Sequence, residues 1–145
     1  MVDLQNIGVL GCGNMGGALV RALVASGTAK PKDIYVYDTF AGAMDILKKD
    51  LGVQTVVHAH DLLDHGNVLI LAVKPQIFHH VAPGLKPQSS AKERVVLSVM
   101  AGVTSENIRA HFPDFFIYFV ERQQIRPHNL IPYLFIEKVF YFLKS

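Results

Sequence analysis

Three glycines at positions 11, 13 and 16, an aspartate at 38 and a lysine at 74 are the residues from whose types and spacing chemistry can be read. Gly11-Cys12-Gly13-Asn14-Met15-Gly16 has the G-x-G-x-x-G spacing of a turn that takes a pyrophosphate. It follows an apolar run of strand length and precedes a stretch with helical periodicity, so it reads as strand, tight turn and helix. In such a turn Gly11 allows a conformation that a Cβ would obstruct, Gly13 clears the path of the pyrophosphate, and Gly16 lets the helix lie close on the strand. The helix beginning near Asn14 then aims unpaired N–H groups at the phosphates. The loop lacks the Gly-Lys-Ser/Thr ending of a nucleoside-triphosphate loop. Cys12 occupies the variable position, where it reads as a small residue that fits and not as a redox group. The same spacing also occurs in methyl-donor nucleotide folds and in purely structural turns; the flanking strand, the helix and a following acid favour a dinucleotide site.

That acid is Asp38, at the end of the run Ile34-Tyr35-Val36-Tyr37. An acid here accepts hydrogen bonds from the adenosine ribose hydroxyls and repels a 2′-phosphate, which tilts the cofactor toward NADH. No arginine follows at Thr39 or Phe40 to hold a 2′-phosphate. The alternative is an aspartate that starts a turn or caps a helix. Lys74 and Pro75 end the continuous apolar run from Val68 to Val73, on the edge where open α/β sheets bind ligands. Lys74 there either reaches a ribose or phosphate oxygen or is a solvated loop lysine. Ala101 and Gly102 follow the run from Val95 to Met100 and let a ring approach the backbone. His58, His60 and His65, with His79 and His80, have no metal-ligand spacing and read as surface or cap residues, so no metal site is expected.

The elements that must position these residues alternate between strand and helix, which implies an α/β fold: a Rossmann-like, doubly wound parallel sheet in three α/β/α layers. The first helix carries Leu19, Val20, Leu23 and Val24 inward and stops at Ser26-Gly27. A second runs from Ala41 to Asp50 with Met44, Ile46 and Leu47 for burial, and Val53 to Val57 gives a third strand. A short helix spans Gln76 to Val81, and another, capped by Thr104 or Ser105, halts at Pro113. At 145 residues the chain has room for one core. A net charge of +2 with scattered bases argues against nucleic acid or an anionic membrane as partner. A single cysteine suits the cytoplasm, Met1 to Gln5 has no signal-peptide pattern, and the stretch from Leu130 to Leu143 is too short and too interrupted to span a bilayer.

Three of these stretches together carry a family resemblance. Gly11-Cys12-Gly13-Asn14-Met15-Gly16, Leu69-Ile70-Leu71-Ala72-Val73-Lys74-Pro75-Gln76 and Ser98-Val99-Met100-Ala101-Gly102-Val103 resemble, with their spacings, the N-terminal domain of pyrroline-5-carboxylate reductases. The resemblance implies an NAD(P)H-dependent oxidoreductase of proline biosynthesis that passes hydride to a cyclic imine. It places Leu10, Gly11, Cys12, Gly13, Asn14 and Met15 along the pyrophosphate of NAD or NADP. Ala72, Val73, Lys74 and Pro75 would pass beside the nicotinamide ribose, and Ala101 would approach the nicotinamide. Asp38 falls where many members have a small hydroxyl residue or another 2′-phosphate partner, and Ala59 where some carry a cofactor-contacting asparagine.

After Phe115 the chain departs from that family, whose members continue through Arg-x-Met-Pro-Asn-Thr-Pro into a helical domain that dimerises and holds the substrate. Nine of the 14 phenylalanine and tyrosine residues fall between Phe115 and Ser145. The expected organisation is a dinucleotide-binding domain over 1–115 and a divergent aromatic tail over 116–145. That tail would hold an edge strand from Phe116 to Val120 and a short helix between Leu134 and Leu143, and it would arise from a shifted frame or alternative splice. Such a chain is expected to bind cofactor without catalytic residues of its own and to self-associate or dock a protein partner through the tail. The rival readings are a non-catalytic binding module and a methyltransferase-like nucleotide domain.

Overall fold

The computed structural model describes residues 6–65, 67–86 and 94–119. Short apolar runs form its centre: β1 (Ile7–Leu10), β2 (Ile34–Tyr37) and β4 (Val68–Leu71), with β3 (Gln54–Thr55), β5 (Arg94–Ser98) and β6 (Phe115–Phe119) to either side. The order across the sheet is β3-β2-β1-β4-β5-β6, and every pair is parallel. The chain runs outward from β1 to β3, returns to β4 on the far side of β1, and runs outward again. This reversal opens a crevice at the carboxyl ends of β1 and β4, because the connections leave them in opposite directions. Register brings those ends level: Leu10 pairs with Tyr37 and Leu71, and Leu71 pairs with Ser98.

Successive strand residues face opposite sides of a sheet, and the two cores divide accordingly. Ile7, Val9, Val36, Ile70 and Leu97 pack with Leu19, Val20 and Leu23 of α1 (Asn14–Ala25) and Leu47 of α2 (Ala41–Leu51). Leu69, Leu71 and Val96 pack instead with Leu62 and Leu63 of α3 (Asp61–His65), Phe78 of α4 (Pro75–Val81) and Ile108 of α5 (Ser105–His111). The result is the doubly wound α/β/α arrangement that the sequence implies. Each fully buried Val, Leu, Ile or Phe contributes about 1.5–3 kcal/mol, so packing against the sheet holds a helix as short as α3 that would not persist alone. The exposed Arg21–Asp50 pair, at 2.8 Å between α1 and α2, adds at most about 1 kcal/mol.

Local signals account for the ends. Thr104, not Ser105, caps α5, its Oγ1 accepting the Asn107 N–H at 3.2 Å. Two expectations need correction. Ile46 is exposed, because the buried stripe of α2 runs through Ala43, Met44, Leu47 and Leu51, and Ile46 lies off its edge. The third strand shrinks to two residues: Val56 still donates to the Val36 carbonyl at 3.2 Å, but the chain then turns so that His58 N–H reaches Asp61 Oδ2 at 3.1 Å, beginning α3. β6 pairs with β5 from Arg94–Phe115 to Ser98–Phe119 and stands at the sheet edge, where a strand was expected. The expected helix between Leu134 and Leu143 lies outside the described residues. No helix among the described residues is long and apolar enough to cross a membrane.

Candidate functional site

The three glycines meet three different surroundings. Gly11 has φ +108°, and a Cβ there would come within 2.6 Å of the Ala72 carbonyl oxygen. A Cβ on Gly16 would overlap the Gly11 carbonyl oxygen, so α1 lies against the turn at a distance that only glycine permits. A Cβ on Gly13 would meet nothing within 4 Å. Packing therefore explains Gly11 and Gly16 but leaves Gly13 unexplained by the protein itself. Gly13 is the N-cap of α1 and offers no side chain to the first turn, which also contains no acid. The leading N–H groups of a helix have no partner within it, so those of α1 are left to receive an acceptor from outside.

Asp38 faces this turn from the end of β2. Its Oδ2 accepts the Cys12 N–H at 2.7 Å and its Oδ1 accepts the Phe40 N–H at 2.8 Å. The turn-initiating alternative is thus part of its role, since the Phe40 bond closes an Asx turn. An ionised carboxylate has about four acceptor positions, so both backbone bonds leave capacity for hydroxyl donors. The Cys12 thiol is buried, with Sγ 3.7 Å from the Tyr37 carbonyl oxygen. Burial, and then the charge of Asp38, pushes its pKa up to about 12. It stays protonated at neutral pH and is a poor nucleophile, as a space-filling role requires.

A cleft of about 460 Å³ runs along the carboxyl edge of the sheet. Gly11, Gly13, Asn14, Met15 and Asp38 line it on one side, and Ala72, Val73, Lys74, Pro75 and Ala101 on the other. Lys74 is exposed and caps α4, whose first residue is Pro75; the Lys74 carbonyl accepts the Phe78 N–H at 3.0 Å. Two residues of the stretch expected along the pyrophosphate also make contacts within the protein. Leu10 turns into the core beneath the sheet, and the Cys12 N–H is already taken by Asp38. Thr39, Ile77, Val99 and Met100 line the cleft without having been singled out. The only signal for them was adjacency to Asp38, Pro75 and Ala101.

The histidines do not converge. His58 and His60 stack on each other at 5.3 Å, His65 stacks on Tyr35 at 4.2 Å, and His111 meets Phe78 edge-on at 5.7 Å. Among the described residues no three His, Cys, Asp or Glu side chains are grouped to hold a metal.

Residues 6–102 match the model of the family described as NADP oxidoreductase, coenzyme F420-dependent. The chain belongs to this family. Its relatives include the pyrroline-5-carboxylate reductase of Escherichia coli (strain K12), 33% identical over 104 residues, which are 72% of this chain and 38% of that protein. The solved pyrroline-5-carboxylate reductase of Coxiella burnetii superposes with a TM-score of 0.68 at 31% identity, over 75% of this chain and 40% of that one. The Plasmodium falciparum pyrroline carboxylate reductase, solved with NADP bound, shares the fold at a TM-score of 0.55 and 17% identity, covering 100% of this chain and 68% of that one. The chain thus spans well under half the length of the E. coli and C. burnetii enzymes. Its match to this oxidoreductase family contains the whole glycine turn, Asp38, the stretch from Ala72 to Pro75, and Ala101.

Proposed function

We propose that this chain binds a nicotinamide dinucleotide across the carboxyl edge of its sheet, as the cofactor-binding part of a pyrroline-5-carboxylate reductase. One observation carries the reading: Gly13, at the open N-terminus of α1, faces a space that no protein atom fills, opposite the fixed carboxylate of Asp38. The turn from Leu10 to Met15 follows the pyrophosphate, chiefly through the backbone of Gly13, Asn14 and Met15. Asp38 accepts from the adenosine ribose and favours NADH over NADPH. The stretch from Ala72 to Pro75 runs beside the nicotinamide ribose, and Ala101 lies near the nicotinamide.

The chain binds the cofactor without reducing an imine by itself. It acts in the cytoplasm, and the exposed aromatic side chains of β6 support self-association through that edge. Isothermal titration with NADH, NADPH and S-adenosylmethionine tests the central claim. Saturable binding of NADH, weaker binding of NADPH and none of S-adenosylmethionine are expected. Binding of the methyl donor in place of both dinucleotides would overturn it.

A further inference from the structure

Two large apolar side chains stand open on one half of the carboxyl edge. Phe40 is 70% exposed just after β2, and Val57 is 79% exposed just after β3, the strand paired with β2. This is the half of the crevice on the β2 side of β1. When a pyrophosphate sits on the turn after β1 and Asp38 meets a ribose, the base attached to that ribose falls on this side.

Phe40 is held in place although it is exposed. Asp38 Oδ1 accepts its N–H at 2.8 Å, and its carbonyl accepts the Ala43 N–H at 3.1 Å, so both sides of its backbone are fixed as the N-cap of α2. Gly42 provides a seat for the ring. A Cβ at Gly42 would lie 3.0 Å from Phe40 Cζ and 3.1 Å from Cε1, closer than a side chain normally approaches, so the ring edge rests against bare backbone. N-caps are usually Ser, Thr, Asp or Asn, whose oxygens serve the first turn; Phe40 makes no such bond. Helix capping therefore does not account for this residue, and neither does the core. A flat apolar partner does: an aromatic ring seated beside a ribose-binding acid offers a base the face it needs for stacking.

We propose that Phe40 is the stacking platform for the adenine ring of the dinucleotide, an inference that rests on the dinucleotide reading above. Asp38 then organises both halves of the adenosine, accepting from the ribose while fixing the backbone of the residue that meets the base.

The test titrates NADH into the full chain and its Phe40→Ala and Phe40→Tyr variants. It adds ligand-observed NMR that compares magnetisation transfer from protein to the adenine and nicotinamide protons. Because Phe40 is exposed, neither substitution leaves a cavity. Base–aromatic stacking predicts about tenfold weaker NADH binding for Phe40→Ala and affinity within about twofold of the original for Phe40→Tyr, which keeps the ring. Transfer to adenine should fall in Phe40→Ala while transfer to nicotinamide persists. Undiminished affinity in Phe40→Ala would sink the inference and leave the dinucleotide reading standing. Equal losses in both variants, or equal loss of both proton signals, would show that Phe40 acts through the loop and would also overturn it. Absence of NADH binding by the original chain would remove both.

Discussion

The Cys12 N–H donates to Asp38 Oδ2 across 2.7 Å, so the acid that ends β2 holds the glycine turn that follows β1. In sequence the two are 26 residues apart. The ladder continues to this point, with Gly11 N–H donating to the Tyr37 carbonyl at 2.8 Å. Turn and acid therefore form one unit, and substitutions at Asp38 act on shape as well as charge.

Two variants separate those effects. Asp38→Asn keeps an oxygen acceptor for Cys12 and removes the charge, so the preference for NADH over NADPH should narrow while the turn survives. Asp38→Ser is too short to hold Cys12, so affinity for both dinucleotides should fall. The original chain should favour NADH by at least about tenfold, or about 1.4 kcal/mol. Identical NADH-to-NADPH ratios in the original and Asp38→Asn chains would mean that the carboxylate does not face the ribose.

The glycines should separate by phenotype. Gly13→Val has room for its side chain within the protein, so it should fold normally and lose NADH binding, its side chain standing where the phosphate would lie. Gly11→Ala should cost about 1–3 kcal/mol from backbone strain alone, added to its collision with Ala72. Gly16→Val should fail to fold, since its side chain would overlap the turn. Urea unfolding alongside NADH titration checks the order, and a Gly13→Val chain that binds as before would remove the phosphate site.

Much of this architecture was legible because strands buried on both faces leave continuous apolar runs. Ile7–Leu10 and the core of Val68–Val73 are such runs, and the helix signals at Ser26-Gly27 and Pro75 are local chemistry. Val53–Val57 misled because an edge strand can stop wherever a side chain such as Asp61 recaptures the backbone. The resemblance that implies a pyrophosphate along Leu10 to Met15 carries no register, so it does not show that the Leu10 side chain enters the core or that the Cys12 N–H bonds to Asp38 after β2. Thr39, Ile77, Val99 and Met100 carry no distinctive chemistry; only the assembled edge brings them to the cleft.

The Cys12 thiol gives a pH signature. Its pKa is raised from an ordinary value of 9.0 to about 12 in the folded chain. Above pH 9 the unfolded chain loses this proton and the folded chain keeps it, so stability falls as pH rises from 9 toward 12. Cys12→Ala should show a shallower decline over that range in urea unfolding, and the native thiol should react slowly with iodoacetamide at pH 8. Prompt alkylation of the folded protein would contradict the burial.

Phe116 and Phe119 stand exposed on β6, the edge strand among the described residues. Exposed edges with aromatic side chains template pairing between chains, so Phe116→Lys with Phe119→Lys should shift the protein toward monomer in analytical ultracentrifugation. Cutting after Asp114 is a different intervention. It removes Phe115, which packs edge-on against Phe112 at 5.1 Å and lies under the Arg94 guanidinium at 5.7 Å. That truncation should lower stability even if it reduces association. An unchanged association state in the double lysine variant would place self-association elsewhere.

The chain alone should bind NADH without oxidising it in the presence of pyrroline-5-carboxylate. Orienting two reactants for hydride transfer can supply about 7–11 kcal/mol of the barrier reduction, and this requires groups that grip the substrate from the side facing the nicotinamide. Among the described residues lining the cleft, only Asp38 and Lys74 carry charge. Asp38 is bound to the glycine turn, at the end that the proposed reading gives to the adenosine. Lys74 is the exposed N-cap of α4; on the proposed reading it runs beside the nicotinamide ribose, and a cation there would not clamp a substrate carboxylate from the opposite side. Ser98 is fully buried, its Oγ accepting the Met100 N–H at 3.3 Å, and is in no position to hand a proton to an imine. The assay follows NADH absorbance with purified chain and substrate, after titration of the same preparation has shown that cofactor binds. A rate equal to the protein-free blank is expected. Oxidation well above that blank would mean that this edge of the sheet, with the residues that follow it, already holds the imine in reach of the nicotinamide.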